Sequence, residues 1–176
     1  MKKASRFMPK FIEKPTGLFG WAFILGILGL FFWFVWVVPL VLLLAPVLVY
    51  VEFRNKKERK AHFQKILKDR DNDSICTFSR HFECREIDTW VIRAVYEQLQ
   101  SYLASEQDYF PIRATDNVLI DLRIDDDVFE FDLIEEIAER TGRTIDASES
   151  NPYYGKVNTV EDLIYFFNLQ PALNAV

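Results

Sequence analysis

Apolar side chains form one continuous run near the N-terminus of the chain, and beyond that run they recur at helical spacing. Residues 15–51 contain no charged side chain and consist mostly of Leu, Phe, Val, Ile and Trp. As one α-helix these 37 residues would extend roughly 55 Å, whereas the hydrocarbon core of a bilayer is about 30 Å thick. The run is therefore typical of a membrane-embedded segment, and it is longer than one upright helix requires.

The charged residues that flank the apolar run favour two short spans over one long span. Lys and Arg concentrate on the cytoplasmic side of membrane proteins, and here they lie on both sides of the run. We therefore predict a transmembrane helical hairpin over residues 18–53, with its turn near residues 33–39. Pro39 would begin the second helix and Pro46 would kink it; one long kinked span is the alternative. The basic flanks are Lys2, Lys3, Arg6, Lys10 and Lys14 on one side and Arg54, Lys56, Lys57, Arg59 and Lys60 on the other.

Charge is distributed very unevenly along the chain, whose net charge is −5. Residues 1–70 contain 13 Lys and Arg against 4 Asp and Glu, a net charge of +9, whereas residues 71–176 contain 8 against 22, a net charge of −14. An anionic membrane surface attracts the first part and repels the second. The acidic part also argues against nucleic-acid binding, which requires basic contacts to phosphate.

These patterns predict four segments. Residues 1–17 form a basic cytoplasmic N-terminus, residues 18–53 the membrane hairpin, residues 54–83 a basic amphipathic stem and linker, and residues 84–176 an acidic helical domain. Anionic headgroups would attract the stem by about 1 kcal/mol for each basic residue. A solvated linker helix is the alternative for the stem, whose apolar positions are Phe63, Ile66 and Leu67.

The acidic domain has the apolar periodicity of helices. The first predicted helix covers residues 87–103. The second is opened by the carboxylates of residues 125–127, which favour a helix N-terminus, and is ended by Gly142, which suits a left-handed cap. The inward-facing stripe of this second helix is predicted to consist of Val128, Phe131, Ile134, Ile137 and Ala138.

A third helix closes the acidic domain. It is predicted to begin at Asn158 or Thr159, because Thr159 and Asp162 resemble a capping box. The predicted fold class is therefore all-α, with an N-terminal transmembrane hairpin followed by a small helical bundle.

The chain contains few side chains that could perform chemistry. Cys76, His81 and Cys84 are closely spaced, but a structural zinc site needs a fourth ligand and this cluster has none. A calcium loop over residues 125–136 is excluded, because Glu130 occupies the sixth position, where a glycine must make the turn. Neither histidine is accompanied by a convincing constellation of nucleophile and carboxylate, so no catalytic triad is predicted. We therefore predict no catalytic residue, no metal and no cofactor, and a protein that is not an enzyme.

Three landmarks of the acidic domain resemble those of acyl carrier proteins, over about residues 84–168. Residues 120–127, with the sequence IDLRIDDD, stand where carriers have a DLG-x-DS-L passage at the head of their second helix. Residues 135–142 correspond to the later E-E-F-G passage of carriers. Residues 159–163, with the sequence TVEDL, correspond to their closing T-V-x-D helix. The chain also resembles a bacterial acyl-carrier-like family of unassigned function. This resemblance implies a small helical bundle.

One departure from the carrier pattern concerns the prosthetic arm. A carrier attaches phosphopantetheine to a serine at the head of the second helix. Counting forward from Leu122 places Asp126 in that position, and counting back from Gly142 places Asp127 there. A carboxylate would form a mixed anhydride, which hydrolyses readily, so the domain is expected to carry no arm. The alternative is a true acyl carrier in membrane-associated acyl transfer, with the arm on a non-equivalent serine, namely Ser101, Ser105, Ser148 or Ser150.

The acidic face of the second helix remains as a candidate functional surface. In carriers this face docks onto basic patches of partner enzymes, and complementary charge raises the association rate and sharpens partner choice. We expect a non-catalytic protein-interaction module at the cytoplasmic face of a bacterial inner membrane, with the bilayer and a protein with a basic patch as its partners. Solvation of a surface helix is the alternative role of these carboxylates. The predicted docking residues are Asp126, Asp127, Glu130, Glu135 and Glu139.

Overall fold

The computed structural model describes Met8 and residues 17–38, 44–70, 73–83, 85–107, 109–146 and 148–173. Over these ranges the chain forms helices and loops and no strand, which confirms the predicted all-α class. The helices are α1 (Leu18–Val37), α2 (Ala45–Asp69), α3 (Ile75–Arg80), α4 (Thr89–Leu103), a π-helical segment (Val128–Leu133) that continues as α5 (Ile134–Thr141), a 3-10 turn (Ser148–Ser150) and α6 (Val160–Leu169).

The described residues belong to two compact units. One unit holds residues 17–64, and the other holds Met8 together with residues 65–173. The boundary lies inside α2, so the last turn of this helix belongs to the second unit. The four segment boundaries that the sequence suggested stay predictions.

Helix α1 is long and apolar enough to cross a membrane, by its length and composition, and none of its side chains is buried in the protein. It continues to Val37, so residues 33–37 of the predicted turn region are helical, and the hairpin stays a prediction. Trp33, Phe34 and Trp36 therefore lie within the helix. Pro39 and the rest of residues 39–43 lie outside the described residues.

Helix α2 begins at Ala45, which places Pro46 in its first turn. The N–H groups of a first turn have no partner within the helix, so a proline there removes no hydrogen bond. The predicted kink at Pro46 is therefore wrong. Further along α2, Phe63 is buried, and Ile66 and Leu67 are half-buried, on the apolar side of an otherwise exposed helix.

The short helix α3 was not predicted from the sequence. Ser74 caps it by accepting a hydrogen bond from the backbone N–H of Thr77. The ring of Phe78 lies 5.0 Å from that of Tyr96 and 5.4 Å from that of Phe82, measured between centroids. These ring contacts attach α3 to the face of α4 that carries Tyr96.

Helix α4 is the central element of the bundle and packs against both α5 and α6. It begins at Thr89, two residues later than predicted, because the Asp88 carboxylate caps it by accepting the backbone N–H of Trp90 at 3.0 Å. Its buried side chains are Val91, Ile92, Ala94, Val95, Tyr96, Gln98, Leu99 and Leu103.

Helix α6 begins at Val160, one residue after the predicted Thr159, which serves as its N-cap. The hydroxyl of Thr159 accepts the backbone N–H of Asp162, and the Asp162 carboxylate accepts the backbone N–H of Thr159, which confirms the capping box. The helix brings five apolar side chains into the core, namely Val160, Leu163, Ile164, Phe166 and Phe167.

A buried ion pair connects the end of α2 with the loop that follows α4. The Arg70 guanidinium donates to both carboxylate oxygens of Asp116, at 2.6 and 2.7 Å, and to the backbone oxygen of Pro111 at 3.0 Å. The side chains of Arg70 and Asp116 are only 11% and 2% exposed. The Asp116 carboxylate also accepts the backbone N–H of Arg113 at 2.8 Å, and its backbone oxygen accepts the N–H of Val160 at 3.0 Å. Asp116 therefore links α2, its own loop and the start of α6.

A second polar network attaches the same loop to α4. The side-chain amide of Gln100 donates a hydrogen bond to the backbone oxygen of Phe110 and accepts one from the backbone N–H of the same residue. The hydroxyl of Tyr96 lies 3.0 Å from that of Tyr109, which donates to the backbone oxygen of Asp73 at 2.7 Å. Burial raises the pKa of Tyr96 well above its ordinary value, and the bond with Tyr109 raises it further. Tyr96 therefore stays protonated and serves as a structural hydrogen-bonding group.

The ion pair gives a stability prediction. Replacing Asp116 by Asn leaves the buried Arg70 without a countercharge, and we expect the unfolding free energy of the full chain to fall by about 3 kcal/mol. Urea unfolding in detergent, followed by circular dichroism, measures this change.

Asp69→Asn is the matched control for this substitution. Asp69 is 82% exposed and lies 3.8 Å from Arg113, so the same change of side chain is expected to cost under about 0.5 kcal/mol. Equal losses for the two variants would contradict the assigned role of Asp116.

Candidate functional site

The loop of residues 117–124 leads the chain into the predicted acidic helix. The Asn117 side chain accepts the backbone N–H groups of Leu119 and Ile120, and the Asp121 carboxylate accepts the N–H of Asn117 at 2.8 Å. The backbone of Arg123 has a φ of 48°, in the left-handed region that favours glycine. The loop thereby reverses the chain just before the carboxylates of residues 125–127.

The acidic helix starts with a π-helical segment, and this changes which side chains face the core. The buried residues are Phe129, Leu133, Ile137 and Ala138, whereas Phe131 is 68% exposed. The prediction that Phe131 faces inward is therefore wrong. Hydrogen bonds of the i→i+5 type widen the turn, so residues three apart, such as Val128 and Phe131, no longer share a face as they do in an α-helix. The predicted inward positions Val128 and Ile134 are half-buried, and Ile137 and Ala138 are buried as predicted.

The predicted docking carboxylates are all exposed on this helix. Asp126 and Asp127 lie in its first turn, Glu130 lies in the π-helical segment, and Glu135 and Glu139 lie in α5. Within the part of the chain that the structure describes, none of these carboxylates forms an ion pair. The outer face of the helix is therefore a surface of unneutralised negative charge.

Two residues of this surface were missed in the sequence. Phe131 was predicted to be buried, and Asp132, which is also exposed, was not singled out. The signal that could have found them is the spacing of exactly four residues between Phe129, Leu133 and Ile137. We call the exposed set the acidic face; it consists of Asp126, Asp127, Glu130, Phe131, Asp132, Glu135 and Glu139.

Polar contacts on the opposite side hold α5 against α4. The Glu136 carboxylate accepts a hydrogen bond from the side chain of Gln98. The guanidinium of Arg140 donates to Glu97 and, at 3.2 Å, to Gln98. Because these contacts fix the inner side of the helix, the acidic face is presented in one orientation within the second unit.

The C-terminal end of α5 is held to α6 and to the start of α4. Gly142 adopts a left-handed conformation with a φ of 63°, which confirms its predicted role as the cap. The next residue, Arg143, donates to the backbone oxygens of Asn168 at 2.8 Å and Gln170 at 2.5 Å. It also approaches the Asp88 carboxylate at 3.5 Å. Arg143 thus satisfies carbonyl groups at the end of α6 while fixing the end of α5.

The remaining chemistry-bearing residues lie away from the acidic face. Ser101 is in α4, Ser105 follows it, and Ser148 and Ser150 are in the 3-10 turn. His81 lies 3.2 Å from the Glu161 carboxylate. Among the described residues, no group of three His, Cys, Asp or Glu side chains could hold a metal ion. Cys84, the third member of the cluster noted in the sequence, lies outside the described residues.

No family model, no curated protein and no solved structure matches this chain. The resemblance to acyl carrier proteins therefore stays a prediction from the residues. The docking role of the acidic face stays a prediction as well.

The register of the acidic helix gives a test with an internal control. Phe129→Ala removes a buried ring and should lower the unfolding free energy by about 3 kcal/mol or more. Phe131→Ala removes an exposed ring and should change it by less than about 0.5 kcal/mol. Urea unfolding of the two variants measures both values. A larger loss for Phe131→Ala than for Phe129→Ala would contradict the observed register.

Proposed function

We propose that this chain is a membrane-anchored, non-catalytic protein-interaction module whose second unit resembles an acyl carrier protein. Its acidic face docks a protein partner at the cytoplasmic surface of a bacterial inner membrane. The partner carries a basic patch. The observation that supports this proposal is the acidic face itself, an exposed aromatic ring among six carboxylates that form no ion pair within the described residues.

The composition of the acidic face suits protein docking. The exposed Phe131 ring supplies apolar area on this surface, and buried aromatic anchors account for much of the binding energy at protein interfaces. The carboxylates around it steer a basic partner and reject an acidic one. Solvation of a helix uses only the carboxylates, whereas docking would also use the exposed ring. The aromatic ring therefore favours docking over solvation.

The local backbone supports the carrier resemblance. Arg123 stands where the DLG passage of carriers has glycine, and its φ of 48° is the conformation that glycine adopts most easily. Asp126 and Asp127 come directly before the π-helical segment, at the head of the helix where the resemblance places a carrier's serine. A carboxylate there cannot keep a phosphodiester-linked arm, so the module works without phosphopantetheine.

The alternative function is a true acyl carrier with its arm on another serine. Ser101 and Ser105 lie in and just after α4, and Ser148 and Ser150 lie in the 3-10 turn. None of them stands at the head of the acidic helix, where carriers present the arm to their partners. The unmodified module is therefore the function that we propose.

The membrane part of the proposal rests on α1. A helix of 20 residues has the length that a bilayer core requires, about 30 Å at 1.5 Å per residue. Basic residues flank the apolar run on both sides, so we propose a hairpin that places both termini in the cytoplasm. The second unit then works beside the membrane surface, where a membrane-associated partner is concentrated.

Reversal of charge on the acidic face tests the docking role. The full chain and a Glu130→Lys/Glu135→Lys variant are purified from native membranes, and the proteins that accompany each are quantified by mass spectrometry. We expect the specific partner to fall by about tenfold or more in the variant, because opposed like charges weaken association. Phe131→Ala should weaken the same partner without any change of charge.

The control is a Glu83→Lys/Glu149→Lys variant, which changes the net charge equally at two exposed positions outside the acidic face. It should retain the partner. Equal loss of the partner in both charge-reversal variants would show that only the net charge matters. Unchanged partners in all variants would show that the acidic face serves only to solvate the surface.

A further inference from the structure

The first half of α2 changes abruptly from apolar to basic along its length. Its first turns expose apolar side chains around the whole helix, and charged side chains begin at Glu52 and Arg54. Water disfavours apolar side chains on every side of a helix, and a protein groove would cover only one side of it. Lipid surrounds a helix on all sides. The exposed apolar side chains are Val47, Leu48, Val49, Tyr50, Val51 and Phe53.

An open groove of about 400 Å³ lies along this part of α2. Leu48, Val49 and Phe53 form its apolar portion, and the Glu52 carboxylate also lines it. Lys56 borders the groove one turn further on. The groove thus runs from apolar side chains to the pair of Glu52 and Lys56, and the side chains that follow on the helix decide whether this polar end attracts a negative head.

Two further lysines follow on the helix beyond the polar end of the groove. Positions 49, 53, 57 and 60 follow one another at intervals of three and four, so they share one side of the helix. Lys57 and Lys60 are exposed and form no ion pair within the described part of the chain. Lys56 lies 3.4 Å from the Glu52 carboxylate, but both side chains are exposed, so this pair is weak and easily exchanged.

We propose that this side of α2 is a binding site for an anionic phospholipid. An acyl chain lies against Val49 and Phe53, and the headgroup phosphate contacts the ammonium groups of Lys57 and Lys60. Lys56 adds positive charge beside them. The site places the membrane–water boundary close to Phe53, and it stands independently of the acidic face, which lies on another helix.

The chain supplies a closely matched control for this site. Lys65 and Lys68 are exposed lysines on the same helix, with the same spacing as Lys57 and Lys60. Each lies eight residues further along, or about 12 Å at 1.5 Å per residue. Exposed charges that far from a headgroup are largely screened at about 0.1 M salt.

The test titrates phosphatidylglycerol and phosphatidylcholine onto the detergent-purified full chain and measures bound lipid by native mass spectrometry. We expect the native chain to prefer phosphatidylglycerol. Lys57→Gln/Lys60→Gln should weaken phosphatidylglycerol binding roughly 30-fold, about fivefold for each lysine, and leave phosphatidylcholine unchanged. Lys65→Gln/Lys68→Gln should weaken it by less than about threefold.

Three results would overturn the proposal. Equal loss in the two lysine variants would show attraction by net charge alone. Equal weakening of both lipids would show that the lysines do not recognise a headgroup. Unchanged phosphatidylglycerol binding with loss of a co-purified protein in the Lys57→Gln/Lys60→Gln variant would assign this side of α2 to a protein partner.

Discussion

The second unit depends on the ion pair between Arg70 and Asp116. Its atoms are buried, so each charge requires the other, and removing one partner leaves the second without compensation. Asp116 also receives the N–H of Arg113 and, through its backbone oxygen, the N–H of Val160. One residue therefore holds the end of α2 and the start of α6 to the loop that follows α4. That loop continues directly into the acidic helix.

The acidic face is a consequence of how that loop and helix are built. The Asn117 side chain accepts hydrogen bonds from two backbone N–H groups, and the backbone of Arg123 is left-handed. Both features direct the chain into the helix. The π-helical segment then directs Phe129 and Leu133 to the core and leaves Phe131 exposed. Contacts of Glu136 and Arg140 with α4 fix the inner side. An aromatic ring and its surrounding carboxylates are thus presented by a rigid scaffold, the arrangement that a docking surface requires.

Sequence reasoning succeeded where the determinants are local. The Thr159 and Asp162 capping box and the Gly142 cap depend on residues within one turn, and both were predicted. Sequence reasoning failed where an element is too short or too irregular to show a repeat, and where the interacting residues are far apart in the chain. The six-residue α3 is too short for periodicity to reveal, and the π-helical segment breaks the 3.6-residue repeat that placed Phe131 in the core. The pairing of Arg70 with Asp116 joins residues 46 positions apart, which no local pattern encodes. The carboxylates of the acidic face were found because charge is visible in composition, whereas their docking role stays a prediction.

We propose an unmodified docking module because Asp126 and Asp127 stand at the head of the acidic helix, where the resemblance to acyl carriers would place a serine. The most direct measurement is the intact mass of the full chain after co-expression with a phosphopantetheinyl transferase, beside an authentic acyl carrier protein in the same cells. The chain is predicted to keep the mass of its sequence while the carrier gains its arm. A gain equal to one phosphopantetheine arm, on any residue of the chain, would contradict this and identify a working acyl carrier.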